Sequence, residues 1–288
     1  MTAPAPDDDK VNIGEIFSRA WVLLRANPIV AAPMLLGLLA FIVVIGVVVA
    51  IVIVALSHTY GPTWPRAFRG KGFPPALILW GFAVVYLVGI VLNVALFAGL
   101  YGLAAAAWMR GTARAADAWR AMGTRFGAIL VSGVGLVGLG IVAVVLVLPT
   151  LGLSFLALPV FTVFVFPAVV AGERGGFAAI GESFRLVRAN LLTAVLAVVL
   201  LYAVNYLVSF VVIPFILPAQ LSFMSNASTP GATFVPPALW QIELAVVGYL
   251  LATLVTLGVY AFGAIVQTGL YLTLRERQER TPPGLGSV

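Results

Sequence analysis

Between Ile29 and Leu56 the sequence carries no charged side chain, and five further stretches of similar character follow it. A helix that crosses a bilayer needs roughly 20 mostly apolar residues. The stretches Ile29 to Leu56, Ala76 to Trp108, Ala128 to Leu148, Leu153 to Ala171, Leu191 to Leu217 and Leu239 to Leu274 meet that requirement. Of the 288 residues, 62% are hydrophobic and only 9% charged, which leaves too little polar surface to cover the core of a soluble fold. The sequence therefore predicts an all-α integral membrane protein built as a six-helix bundle. Pro149 and Gly152 predict a tight hairpin between the third and fourth spans, whereas Ser57 to Pro75 and Pro218 to Pro237 read as longer connections rich in turn formers. Residues 1–10 read as a Pro- and Asp-rich tail without a cleavable leader, 11–276 as one six-span domain and 277–288 as a C-terminal tail.

A second pattern precedes three of the spans. The copies Ala20-Trp21-Val22-Leu23-Leu24-Arg25-Ala26-Asn27, Ala118-Trp119-Arg120-Ala121-Met122-Gly123-Thr124-Arg125 and Ser183-Phe184-Arg185-Leu186-Val187-Arg188-Ala189-Asn190 each feed into an apolar run. At helical spacing, Ala115, Trp119, Met122 and Phe126 share one stripe, as do Ile180, Phe184, Val187 and Leu191; Phe17, Trp21 and Leu24 hold the corresponding places in the first copy. Arg114, Asp117 and Arg120 lie opposite the stripe, and Glu182, Arg185 and Arg188 lie off it. Such helices are expected in the headgroup plane, apolar face down, with Arg114, Arg120, Arg185 and Arg188 binding anionic lipid.

Each cassette followed by a hairpin makes one unit, and since a hairpin returns to its starting side, the three units share a topology. The expectation is three parallel helix-hairpin repeats around an axis along the membrane normal, with three amphipathic interfacial helices as a collar. Against it stands the commonness of basic amphipathic residues before spans in unrelated membrane proteins. The near identity of Leu23-Leu24-Arg25-Ala26-Asn27 and Leu186-Val187-Arg188-Ala189-Asn190 favours repetition.

Charge sets orientation. Of the sixteen Lys and Arg residues, only Arg66, Arg69 and Lys71 fall on the side opposite the cassettes. The positive-inside rule then places both termini in the cytoplasm of a bacterial inner membrane. The net charge of +6 is dispersed among segment ends, so membrane lipids, and a membrane protein partner, are expected rather than nucleic acid.

Few residues offer chemistry. There is no cysteine and a single histidine, His58, so thiolate sites and multi-histidine metal sites are excluded and no cofactor is expected. His58, Tyr60, Trp64, Arg66, Arg69 and Lys71 share the first connection with no positioned nucleophile or carboxylate, and read as a solvated loop. Glu243 is the only carboxylate in an apolar segment; it is a functional candidate, but Trp240 beside it marks an interface belt where a carboxylate is also at ease. Asn93, Asn205 and Gln267 lie within spans, alongside hydroxyls including Tyr86, Tyr101, Tyr202 and Tyr260. Interhelical hydrogen bonding accounts for any one of them, whereas a cluster of Asn93, Asn205 and Gln267 in one cavity would indicate a polar path. Gly37, Gly46, Gly133, Gly135, Gly138 and Gly140 read as close-packing positions on helices.

The run Phe166-Pro167-Ala168-Val169-Val170-Ala171-Gly172-Glu173-Arg174-Gly175-Gly176-Phe177 and its continuation through Ala179, Ser183 and Phe184 resembles the membrane-domain superfamily of glycerophosphoryl diester phosphodiesterases and its stand-alone bacterial relatives. There a proline near the end of one span is followed by an acidic residue, glycines and an Ala-x-x-x-Ser-aromatic helix. The resemblance spans Gly14 to Glu276 and implies a six-span membrane module. In fused members the hydrolase is a separate soluble domain with acidic and histidine metal ligands; nothing in these residues reads as that domain, so no catalytic residue carries over. The expected function is a non-enzymatic module that organises lipids or a membrane partner through its basic collar. The alternative is a transporter or translocator of a lipid or small solute through a polar cavity lined by Asn93, Asn205, Glu243 or Gln267.

Overall fold

The computed structural model describes residues 11–61, 75–228 and 238–280. They form α1 (Ile13–Ala26), a 3-10 turn (Pro28–Ala31), α2 (Ala32–Tyr60), α3 (Pro75–Arg110), α4 (Ala115–Val145), α5 (Leu153–Thr162), α6 (Val165–Val170), α7 (Gly176–Ala189), α8 (Leu191–Ser228) and α9 (Leu239–Arg280), with no strand among the described residues. Among the described residues, six segments are long and apolar enough to cross a membrane. Large apolar side chains on their outer faces are exposed, such as Phe210 at 76% and Leu156 at 70%. An apolar surface on this scale is stable in a lipid solvent and not in water. The chain is thus all-α and consistent with a multi-pass membrane protein.

The hairpin read from Pro149 and Gly152 is present: Gly152 adopts φ +84° and donates its N–H to the Val147 carbonyl at 2.8 Å. Other boundaries differ from the sequence reading. The second amphipathic segment is not a separate helix; it forms the first turns of α4 and runs without a break into the span. Its start is set by Asp117, whose Oδ2 accepts the Arg114 N–H at 2.9 Å and pairs with Arg110 at 2.6 Å. The fourth span is broken into α5 and α6, with Pro159 inside the first piece and Pro167 in the first turn of the second. Pro159 has no N–H to donate within α5, while Pro167 falls where that N–H would be unpaired in any case. Ser183 of α7 bridges the break, its hydroxyl donating to the Phe161 carbonyl at 2.7 Å and accepting the Phe164 N–H at 3.2 Å. Pro214 and Pro218 do not end α8, which continues to Ser228. His58 belongs to the last turn of α2 rather than to a loop, and Trp64, Arg66, Arg69 and Lys71 lie outside the described residues.

At one end of the bundle the cassettes pack in a regular order. The first turns of α4 lie on α3, where a Cβ at Gly102 would meet Ala121 and the Asp117 carbonyl. Helix α7 lies on α4, α5 and α6, and α1 lies on α9, with Phe17 and Trp21 edge-on to Phe262. Each amphipathic segment therefore packs on the hairpin before its own, taken cyclically. The ends of α1 and α7 also match. Asn27 and Asn190 both leave the helix near φ −131° and −136°, and both return a side-chain N–H to the carbonyl four residues back, at 3.0 Å to Leu23 and 3.1 Å to Leu186. Asn27 does more, binding the Gly111 carbonyl at 3.0 Å and the Ala113 N–H at 2.8 Å.

The stripes expected to face the membrane are shared between protein and outside: Val187 is buried, and Phe17, Leu24, Met122, Phe126 and Ile180 pack against the core. In α7 the buried residues are Ala179, Glu182, Ser183, Leu186 and Val187, whereas Leu191 is exposed; in the first turns of α4 they are Ala118 and Ala121, with Trp119 69% exposed. Small residues face the neighbouring helices because they let backbones approach closely. The glycine expectation holds in part. Gly135 is met by Ile180 and Gly37 by Leu96, but nothing lies near a Cβ at Gly46, Gly133, Gly138 or Gly140.

Candidate functional site

Where α5 gives way to α6, the helices stand far enough apart to leave a cavity of about 350 Å³. The proline-bearing α5 brings Pro159 and Thr162 to it, α3 brings Phe97 and Tyr101, α6 Phe166, α8 Tyr202 and Asn205, and α9 Tyr260 and Gln267. Two of the three in-span amides thus share one cavity. They sit deep: at 1.5 Å per residue, Gln267 lies about 12 Å along α9 from Arg275, and Asn205 about 21 Å from the start of α8.

The polar geometry is set from α3. Tyr101 is buried, its ring stacked with Phe97 at 6.4 Å and tilted on Phe166 at 5.6 Å. Its hydroxyl donates to the Oε1 of Gln267. The remaining walls are hydrocarbon, including Leu100, Val163, Val198, Leu201 and Val259, and no charged side chain lines the cavity among the described residues. Such a space suits a molecule with a compact hydrogen-bonding group and an apolar body.

Asn93 lies elsewhere. It lines a second cavity of about 790 Å³ with Phe41, Tyr86, Ile129 and Val134, and its amide N–H is taken by the Gly89 carbonyl of its own helix at 2.8 Å. The stacked rings of Phe97 and Phe166, 5.1 Å apart, line both cavities. Glu243 lines neither; it is exposed in the second turn of α9.

Apart from Arg277, which is also engaged, the arginines of the basic end fall into two groups. Arg110 pairs with Asp117, Arg125 with Glu173 at 2.5 Å, Arg174 with Glu182, Arg275 with Glu279 at 2.9 Å and Arg280 with Glu276 at 3.8 Å. Arg19 lies over the Trp108 ring at 4.3 Å and donates to the Trp108 carbonyl, and Arg25 lies over Trp21 at 4.7 Å. Arg114, Arg120, Arg185 and Arg188 are exposed and make no ion pair among the described residues. These four are the residues that the helical period nominated.

Glu182 was missed as a core residue. It is 6% exposed, accepts the Tyr271 hydroxyl at 2.5 Å and pairs with Arg174. A charge eight residues upstream and a tyrosine near the end of α9 were visible in the sequence, but nothing in their spacing joins them. Compared with protein-family models, curated proteins and solved structures, the chain matches none.

Proposed function

We propose that this chain is a non-enzymatic membrane module that organises anionic lipid through its basic end. The observation that carries this reading is the division among the arginines: ion pairs or ring contacts engage Arg19, Arg25, Arg110, Arg125, Arg174, Arg275 and Arg280, whereas Arg114, Arg120, Arg185 and Arg188 make no ion pair among the described residues and are open to outside anions. An exposed basic residue close to a membrane surface attracts anionic headgroups by about 1 kcal/mol each. The exposed Trp119, one residue before Arg120, suits the headgroup layer. The proposed setting is a bacterial inner membrane with both termini in the cytoplasm, on the positive-inside argument. The cyclic packing of the cassettes and the matched ends of α1 and α7 support the three parallel helix-hairpin units expected from the cassettes. A membrane protein partner at the same end fits this reading.

One observation favours translocation of a lipid or small solute as a second reading: Asn205 and Gln267 line the same cavity, well along their helices from the basic end. The separate placement of Asn93 and the exposure of Glu243 weaken it. The test of the leading reading is reconstitution into discs of mixed phosphatidylglycerol and phosphatidylcholine, with the lipid retained around the wild type compared with that around the Arg120→Gln, Arg185→Gln, Arg188→Gln triple variant. Enrichment of phosphatidylglycerol around the wild type should fall in the variant, with the spans still folded. Equal enrichment around both refutes the proposal.

A further inference from the structure

The side chain of Gln267 is positioned from α3. Its carbonyl oxygen accepts from Tyr101, and its amide borders the cavity. Tyr101 is fixed by its ring contacts with Phe97 and Phe166, so the amide is oriented before anything arrives. Asn93 differs in that its amide donates to Gly89 of its own helix. An amide N–H facing a hydrocarbon-walled cavity is matched by a group bearing acceptor oxygens. The lining also limits the charge of that group. With no cation on the cavity wall, a phosphate brought here would lose its hydration without a counter-charge, whereas an ester or hydroxyl would not. The hydrocarbon walls formed by Leu100, Val163, Val198, Leu201 and Val259 accept an apolar tail.

We infer that this cavity is a binding site for a neutral amphiphile of the diacylglycerol class, whose ester or hydroxyl oxygens accept from the Gln267 amide and whose chains lie on the hydrocarbon walls. The volume of about 350 Å³ falls within the ~300–1,000 Å³ of small-molecule sites. The site is separate from the anionic lipid at the basic end. It uses the cavity of the translocation reading but requires binding alone.

The experiment titrates the full-length chain in detergent micelles with radiolabelled dioctanoylglycerol, with dioctanoyl phosphatidylglycerol as competitor. Saturable binding near one per chain is expected, with the charged lipid a poor competitor. Gln267→Leu should weaken binding about tenfold, as loss of a ligand hydrogen bond does. Gly263→Leu, which fills the cavity wall, should abolish it. Tyr101→Phe keeps the ring contacts and removes only the hydroxyl that orients the amide, and should weaken binding severalfold. The triple arginine variant should bind as the wild type does, which separates failure here from failure of the basic-end reading. Unsaturable partitioning, equal competition by the charged lipid, or unchanged binding in both Gln267→Leu and Tyr101→Phe overturns the inference. If unliganded thermal unfolding shows that either larger change prevents folding, Tyr101→Phe and the wild-type competition decide.

Discussion

The hydroxyl of Tyr271 on the last span donates to the buried carboxylate of Glu182 at 2.5 Å, tying α9 to α7 across 89 positions of sequence. Arg174 completes the carboxylate's partners, and Gly172 gives the space, since a Cβ there would collide with the Tyr271 hydroxyl. Removing one partner of a buried pair leaves the other desolvated and unmatched. Glu182→Ala should therefore lower stability by about 3 kcal/mol, and Tyr271→Phe by about 1–2 kcal/mol. Glu182→Gln keeps an acceptor for Tyr271 and should lose less than Glu182→Ala. Thermal unfolding in detergent ranks the three, and equal losses contradict the network.

Close approach predicts a second result. A Cβ at Gly269 would stand 2.5 Å from the Trp108 ring, which is itself held beneath Arg19. Gly269→Ala should destabilise by about 1–3 kcal/mol through overpacking. At Gly263 the nearest atom is 3.8 Å away, so Gly263→Ala should be neutral or gain up to about 1 kcal/mol from helix propensity. Similar unfolding temperatures for the two variants would show that α3 and α9 are further apart than described.

The two matched asparagines should respond unequally. Asn27→Ala loses bonds to Leu23, Gly111 and Ala113 and frees the link between α3 and α4, whereas Asn190→Ala loses one local bond to Leu186. Losses of about 2 kcal/mol and at most about 0.5–1 kcal/mol are expected. Hydrogen exchange at Gly111 to Ala113 should rise in the first variant only; a rise in neither removes the linking role of Asn27.

Thr268 predicts a change of the opposite sign. It is fully buried, and its hydroxyl is the one buried side-chain polar atom without a hydrogen bond among the described residues. Replacing it by Val keeps the shape and removes an unsatisfied group, so Thr268→Val should match the wild type or gain about 1 kcal/mol. A loss above about 1 kcal/mol in denaturant unfolding would mean that the hydroxyl has a partner.

The spans were legible because length and hydropathy alone define them, and Pro149 and Gly152 located their tightest turn. The buried face of α7 was not legible, for a physical reason. In water the apolar stripe of a helix points at the core, but in lipid large apolar side chains are equally at ease outside. Phe177 is 66% exposed while Ala179, Glu182 and Ser183 are buried, so of the stripe Ile180, Phe184, Val187 and Leu191 only Val187 marks the buried face, and Glu182, which lies off the stripe, is buried too. Asn205 and Gln267 were legible as polar residues in apolar runs. That they share a cavity and Asn93 does not depends on the rotation of α3, α8 and α9 about their axes, which spacing within any one helix does not contain.

The exposed arginines without an ion pair among the described residues are the proposed lipid contacts, and native mass spectrometry of the detergent-released protein tests them most directly. The wild type should retain anionic lipid, and the Arg120→Gln, Arg185→Gln, Arg188→Gln variant should lose most of it while unfolding at the same temperature. Retention of the same lipid in the same amount by the folded variant would contradict the central claim.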